Sequence, residues 1–181
     1  MKVSQNPKIS VIMSVYNGMP LGPHPAMRGR TASSAYSQKS SAYLKQAVES
    51  ILNQTYKNFE FIIVDDASTD NSWQYLKSLK DKRIKLLKNS KNLGLAKSLN
   101  RAIGVASGHY IARMDADDIS LPTRFQEQLK FLKRNPNIDL CGTWADLFAS
   151  VVLLFFHKPP PPINPNTITS TITDIRLFLS P

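Results

Sequence analysis

The sequence predicts an α/β fold, a mostly parallel sheet with helices on both faces, and three observations carry that prediction. Ile9–Val15 and Phe59–Val64 are nearly continuous apolar, β-branched runs, the pattern of strands buried on both faces. Each is followed by a stretch whose apolar residues recur at helical spacing, so strands and helices alternate along the chain. Polar and acidic groups, Tyr16-Asn17, Asp65-Asp66 and Asp115 to Asp117, fall at the carboxyl ends of strands. Open α/β sheets bind their ligands at those ends.

The first strand is Ile9–Val15. From Gly18 to Ser41 the periodicity fails, with Pro20, Pro23 and Pro25 and a Ser/Ala run, and the segment reads as a long inserted loop over 19–41. Leu44, Ala47, Val48, Ile51 and Leu52 form an apolar stripe at helical spacing. Phe59 to Val64 is the second strand and stops at Asp65-Asp66. A short helix over Ser72–Leu79 is expected to turn Trp73, Leu76 and Leu79 inward, and Arg83–Lys88 is a weaker strand. A third helix carries Leu95, Leu99, Ala102, Ile103 and Ala106, with Gly108 as its C-terminal cap. The next strand is His109–Met114. Phe125, Leu129 and Leu132 mark a fourth helix ending near Asn135-Pro136, and a further strand is expected from Ile138 to Trp144. From Val151 the character changes: an apolar run leads into Pro159 to Pro162, and Thr167–Thr173 alternates Ile with Thr or Ser. The expected organisation is a domain over 1–148 and an irregular proline-rich tail over 149–181.

Bulk properties exclude several classes. A chain of 181 residues with 42% hydrophobic and 20% charged residues suits one globular domain. The single cysteine, Cys141, rules out an internal disulfide framework or a Cys-rich zinc site and reads as a buried core thiol in a reducing compartment. No segment reaches the ~20 apolar residues of a membrane span, and no cleavage site follows the first strand. A soluble, cytoplasmic protein is expected. The net charge is +10, much of it between Lys77 and Arg101. Such a face suits nucleic acid, an anionic membrane or a phosphorylated substrate, or simply keeps an edge strand soluble. Few aromatics interleave those lysines, which speaks against base stacking.

Asp115-Ala116-Asp117-Asp118 is the most informative motif. Three carboxylates at the end of a strand repel one another unless a cation lies among them. Alternate residues of a strand share a side, so Asp115 and Asp117 converge. Two convergent carboxylates with open positions suit Mg²⁺ or Mn²⁺. The same residues also suit a plain turn that caps the helix after Leu121-Pro122-Thr123. There is no Gly-x-Gly-x-x-Gly after the first strand and no Gly-Lys-Ser/Thr loop, and His24, His109 and His157 lack metal-ligand spacing. What remains is an acidic pair able to accept hydrogen bonds from a base or ribose, and a cluster able to hold a cation against a diphosphate.

In order along the chain, Ile9 to Gly18 (ISVIMSVYNG), Leu44 to Tyr56 (LKQAVESILNQTY) and Phe59 to Asp70 (FEFIIVDDASTD) resemble family 2 glycosyltransferases. Asn92-Leu93-Gly94, Asn100, Gly108 to Ile111 and Met114 to Asp118 continue the resemblance, which covers about residues 8 to 148. It implies a GT-A fold, Rossmann-like, and transfer of a sugar from a nucleotide diphosphate sugar, UDP-linked by preference, to a glycan or lipid-linked acceptor, with Mg²⁺ or Mn²⁺. By resemblance Ser14 and Tyr16 line the nucleotide pocket, and Asp66 contacts base or ribose with Asp65 beside it. Asp115 and Asp117 match the Asp-x-Asp motif: Asp117 is the first choice as metal ligand, and Asp115 lies near the sugar, ribose or metal. Such acceptors are often cell-envelope glycans, and a peripheral contact with the inner face of a membrane fits them.

Two departures stand out. The insertion replaces a link that is very short in the family. No acidic pair follows Asp118 to act as catalytic base, since Asp139, Asp146 and Asp174 stand alone. The expectation is therefore a donor-binding half, truncated at the C-terminus, with no assigned catalytic residue. The alternative is a non-catalytic nucleotide-sugar binding module.

Overall fold

In a computed structural model, residues 7–19 and 43–143 are described. The expected insertion beyond Met19, the proline-rich tail and Trp144 lie outside them. The strands are β1 (Ile9–Val15), β2 (Phe59–Asp65), β3 (Ile84–Lys88) and β4 (Tyr110–Arg113). The helices are α1 (43–52), α2 (Ser72–Ser78), α3 (Leu95–Ile103) and α4 (Arg124–Arg134). The four strands form a parallel sheet in the order β3-β2-β1-β4. Ile9 pairs with Phe59 and with Tyr110, which sets the register of both of β1's neighbours.

The two faces of this sheet follow from strand alternation. Ile9, Val11, Met13 and Val15 of β1 and Phe59, Phe61 and Ile63 of β2 point to one side. There they pack with Leu44, Ala47, Val48 and Ile51 of α1, Leu76 of α2, and Phe125 and Leu129 of α4. The opposite face carries Ile12, Ile62 and Val64 against Ala102, with Leu99, Ile103 and Ala106 beside them. Each fully buried aliphatic or Phe side chain contributes roughly 1.5–3 kcal/mol, so the larger first cluster dominates the core.

The second face also holds a polar knot at the amino end of the strands. Glu60 is almost fully buried, and its Oε1 accepts hydrogen bonds from Ser10 Oγ (2.6 Å), Ser107 N (2.7 Å) and Ser107 Oγ (2.8 Å). The ammonium groups of Lys85 and Lys8 lie 2.6 and 3.2 Å from Oε2, as ion pairs rather than aligned hydrogen bonds. Burial alone raises a carboxyl's pKa. Here Lys85, Ser10 and Ser107 more than offset it and hold Glu60 well below the usual range. One side chain thus ties β1, β2, β3 and the approach to β4.

Several elements differ from expectation. The helix carrying Leu95 stops at Ile103, and its C-cap is Gly104 rather than Gly108. Val105 and Ala106 then donate to the carbonyls of Ala102 and Ile103, a tighter turn that keeps Ala106 on the core without extending the helix. Gly108 has another role, since a Cβ there would lie 2.6 Å from the backbone nitrogen of Ser10. Only glycine lets β4 start this close to β1. Trp73 is half-buried, with Lys88 and Lys77 over its ring at 5.0 and 5.8 Å, so cations rather than core cover it. Residues 138–143 form no strand, and Cys141 is half-buried, its thiol pushed up by burial against the opposing pull of Arg124. Among the described residues no helix is long and apolar enough to cross a membrane.

Candidate functional site

The strand order reverses between β1 and β4, because the chain moves from β1 through β2 to β3 and then crosses to β1's other side. A crevice opens at such a switch point, outside the carboxyl ends of the strands. Ser14 and Tyr16 stand at the end of β1, half-buried and 52% exposed respectively. Asp65 and Asp66 end β2, and Asp115 to Asp118 follow β4. The fold therefore brings all the residues expected from sequence to one edge of the sheet.

Local bonds hold the β1 and β2 ends together. Asn17 and Ala67 both take left-handed φ, 52° and 60°, which costs a non-glycine residue roughly 1–2 kcal/mol. Asn17 Oδ1 accepts from Thr69 N (2.9 Å), and its own N–H donates to Ser68 Oγ (3.0 Å). Met19 N donates to Asp70 Oδ2 (2.7 Å), while Asp70 Oδ1 accepts from Ser72 N at the start of α2 (2.9 Å). The Ser-Thr-Asp run after the acidic pair is thus the latch between two strand ends.

Asp66 is 2% exposed. Its Oδ1 accepts from Asn89 Nδ2 (2.6 Å) and Leu93 N (2.8 Å), and its Oδ2 accepts from Gly94 N (2.8 Å). Burial pushes this carboxyl up, but the bonds from Leu93, Asn89 and Gly94 outweigh it and the pKa falls below the usual value. An ionised carboxylate offers about four acceptor positions, and these three bonds, with a further contribution from the Ser98 hydroxyl, satisfy it within the fold. Gly94 has φ +84°, a conformation suited to glycine, and is the N-cap of α3. Asp66 thereby shapes the whole 89–94 turn. Asp65 is fully buried, and its oxygens have no hydrogen-bond partner among the described residues; Lys88 Nζ lies 3.9 Å away.

The cluster after β4 is built differently. Arg113 grips Asp115 through Nη2 to both carboxylate oxygens (2.8 and 3.0 Å) and Nε to Oδ1 (3.1 Å). Asp117 and Asp118 are exposed. The Asp118 carboxyl is pushed up by burial and then by the charges of Asp115 and Asp117, with Arg124 and Arg113 pulling the other way. Arg124 anchors the motif from beneath, its Nη2 donating to the carbonyl of Arg113 (2.9 Å). Gln54, fully buried, pins the following loop by donating to Leu121 O (2.7 Å) and Ser120 Oγ (3.2 Å).

Sequence reasoning missed Arg113, Arg124, Asn89 and Gln54. For Arg113 a signal exists, since an i, i+2 pair in a strand shares a side. For Gln54 and Asn89 there is none, because their partners are remote in sequence.

Three carboxylates against two arginines leave this cluster net negative, and oxygen donors suit hard cations. Among the described residues no group of three or more His, Cys, Asp or Glu forms a ready-made metal cage. Mg²⁺ and Mn²⁺ do not need one, since they commonly use one or two carboxylates together with substrate phosphates. The donor set fits.

The model of the family described as Glycosyl transferase family 2 matches residues 34–176. The chain belongs to glycosyl transferase family 2. It is 40% identical over 142 residues to an uncharacterized glycosyltransferase of Methanocaldococcus jannaschii, covering 77% of this chain and 42% of that one. Over 99 residues it is 43% identical to the Escherichia coli UDP-Glc:alpha-D-GlcNAc-diphosphoundecaprenol beta-1,3-glucosyltransferase WfaP, covering 55% and 39% of the two chains. The chain spans less than half the length of these relatives. Its fold is similar to that of the mannosyltransferase PcManGT from Pyrobaculum calidifontis, solved with GDP-Man and Mn²⁺. The TM-score is 0.53 at 23% identity, covering 71% of this chain and 33% of that one, and this likeness speaks for the fold alone. The sheet is that of a GT-A glycosyltransferase, of which the chain covers part.

Proposed function

We propose that this family 2 chain binds a nucleotide diphosphate sugar at the β1/β4 switch point and serves transfer of the sugar to a glycan or lipid-linked acceptor. The observation that carries the reading is the under-compensated carboxylate cluster beside Ser14 and Tyr16 on this fold. Ser14, Tyr16, Asp65, Asp66 and Asp115 line the donor pocket. Asp66 fixes the 89–94 turn that would border a base or ribose, and Tyr16 offers an exposed ring. Asp117, exposed at the tip, is the first metal ligand, with Asp115 beside it. A cation held there supplies charge neutralisation for the diphosphate as it leaves.

In the transfer, the acceptor oxygen forms a bond to the anomeric carbon while the bond from that carbon to the diphosphate breaks. The acceptor's proton must pass to a base. We assign no such base: Asp139 is exposed and isolated, and Asp146 and Asp174 lie outside the described residues. A UDP-linked donor is favoured by the likeness to a UDP-Glc enzyme. An acceptor carried on a lipid would bring the chain to the inner face of the membrane.

Calorimetric titration with UDP-glucose, UDP and GDP, with and without Mn²⁺, tests this reading. Mn²⁺-dependent binding that Asp117→Ala abolishes supports it. No nucleotide binding by the folded chain refutes it, and binding without any sugar release to acceptor or water turns it into the binding-module reading.

A further inference from the structure

Asp115 meets the crevice with both oxygens occupied by a guanidinium, not free. A carboxylate gripped at both oxygens cannot serve a divalent cation fully. The guanidinium takes three of the carboxylate's roughly four acceptor positions, leaving one on Oδ2, and sets a positive charge against the incoming ion. In this state Asp117 is the exposed carboxylate of the Asp-x-Asp pair and Asp115 the constrained one.

Arg113 is arranged to change partners. Its backbone is fixed, since it closes β4 in register with Ile12 and its carbonyl is held by Arg124. Its side chain is not, being 34% exposed, and both N–H groups of Nη1 have no hydrogen-bond partner among the described residues. The stem is anchored while the planar head is partly open to solvent. A partly exposed pair of this kind contributes little on its own, so it yields to a stronger anion. A diphosphate carries more charge than one carboxylate and matches the guanidinium fork equally well.

We propose that Arg113 is a donor-sensing positioning residue, an inference that rests on the donor reading above. With the crevice empty, Arg113 holds Asp115 away from the cation. When a nucleoside diphosphate enters, its phosphate oxygens take the guanidinium and Asp115 turns to the cation beside Asp117. Donor and cation then bind as a coupled pair, each strengthening the other by the same factor.

The test is Mn²⁺ binding, followed through the paramagnetic resonance of free Mn²⁺, for the full chain and for Arg113→Lys and Arg113→Gln, with and without UDP. Lysine keeps the charge but cannot grip both oxygens. Without UDP, Arg113→Lys is expected to bind Mn²⁺ about three- to fivefold more tightly than the parent, the factor that a pair of ~1 kcal/mol represents. The tightening of Mn²⁺ binding by UDP should be smaller by the same factor in that variant, and Asp115→Asn should erase the effect of position 113. A gain in Arg113→Gln alone, with Arg113→Lys unchanged, would reduce the residue to a nearby charge and overturn the proposal. So would unaltered coupling. Mn²⁺ and UDP binding that ignores position 113 removes this inference and leaves the donor site standing, whereas no binding by any variant removes both.

Discussion

The acidic pair after β2 and the acidic cluster after β4 look alike in sequence, and the structure uses them in opposite ways. Asp65 and Asp66 are buried, and Asp66 spends three of its acceptor positions on the 89–94 turn. Asp117 and Asp118 are exposed, and Asp115 is held by a single arginine that solvent reaches. The first pair builds the wall of the crevice; the second waits in it. The difference shows that a carboxylate at the ligand end of a strand has two fates. The backbone N–H groups of Leu93 and Gly94 engage Asp66 in organising a loop, whereas Asp117 stays exposed.

The largest effect that sharpens this contrast is expected for Asp66→Ala. Removing the carboxylate leaves the half-buried N–H of Leu93 without its acceptor and takes one of two acceptors from Asn89 Nδ2 and from Gly94 N, at a cost of about 2 kcal/mol. Urea unfolding should show a lower midpoint at unchanged slope, and a loss below ~1 kcal/mol would place Asp66 on the ligand's side of the comparison instead.

Acid should separate the two groups by sign. Asp66 has a folded pKa below its usual 3.8, so its contribution is complete above the unfolded value and fades as pH falls through the folded one. Asp118 has a raised pKa, so its ionised form is the disfavoured one and protonation relieves the fold. Asp66→Asn should therefore flatten the fall of stability below about pH 4, while Asp118→Asn should raise stability at pH 7. Thermal unfolding measured across pH 2 to 7 reads both; the same sign for the two variants would break the distinction.

The smallest expected effect concerns folding and Asp117. Asp117→Ala should shift unfolding free energy by no more than about 0.5 kcal/mol, as exposed substitutions do. A large loss of stability in urea would make the β4 cluster structural as well.

Much of the fold was legible because parallel strands buried on both faces must be continuous apolar runs. Ile9–Val15 and Phe59–Val64 could hardly be anything else. Periodicity overshot where apolar spacing outlasts the helix: Ala106 reaches the core through a turn of i to i−3 bonds, so α3 appears longer than it is. The stretch beginning at Ile138 has a strand's composition, but strands need partners, and composition does not supply them. At the site the carboxylates could be read from their placement. Their different roles could not, because Asn89, Leu93 and Gly94 reach Asp66 from over twenty residues away. Arg113 was missed although its partner lies only two residues on.

The knot around Glu60 has an evolutionary consequence. It fastens the strands at their amino ends, with Ser10, Ser107, Lys8 and Lys85 as its partners, while every candidate ligand residue stands at the opposite ends. Substitutions at the tips therefore need not disturb the fastening. On the proposed donor reading, a lineage built on this sheet would be free to trade one nucleotide or sugar for another by small steps at Ser14, Tyr16 or the 89–94 turn. Changes at Glu60 or Gly108 would be purged whatever the substrate.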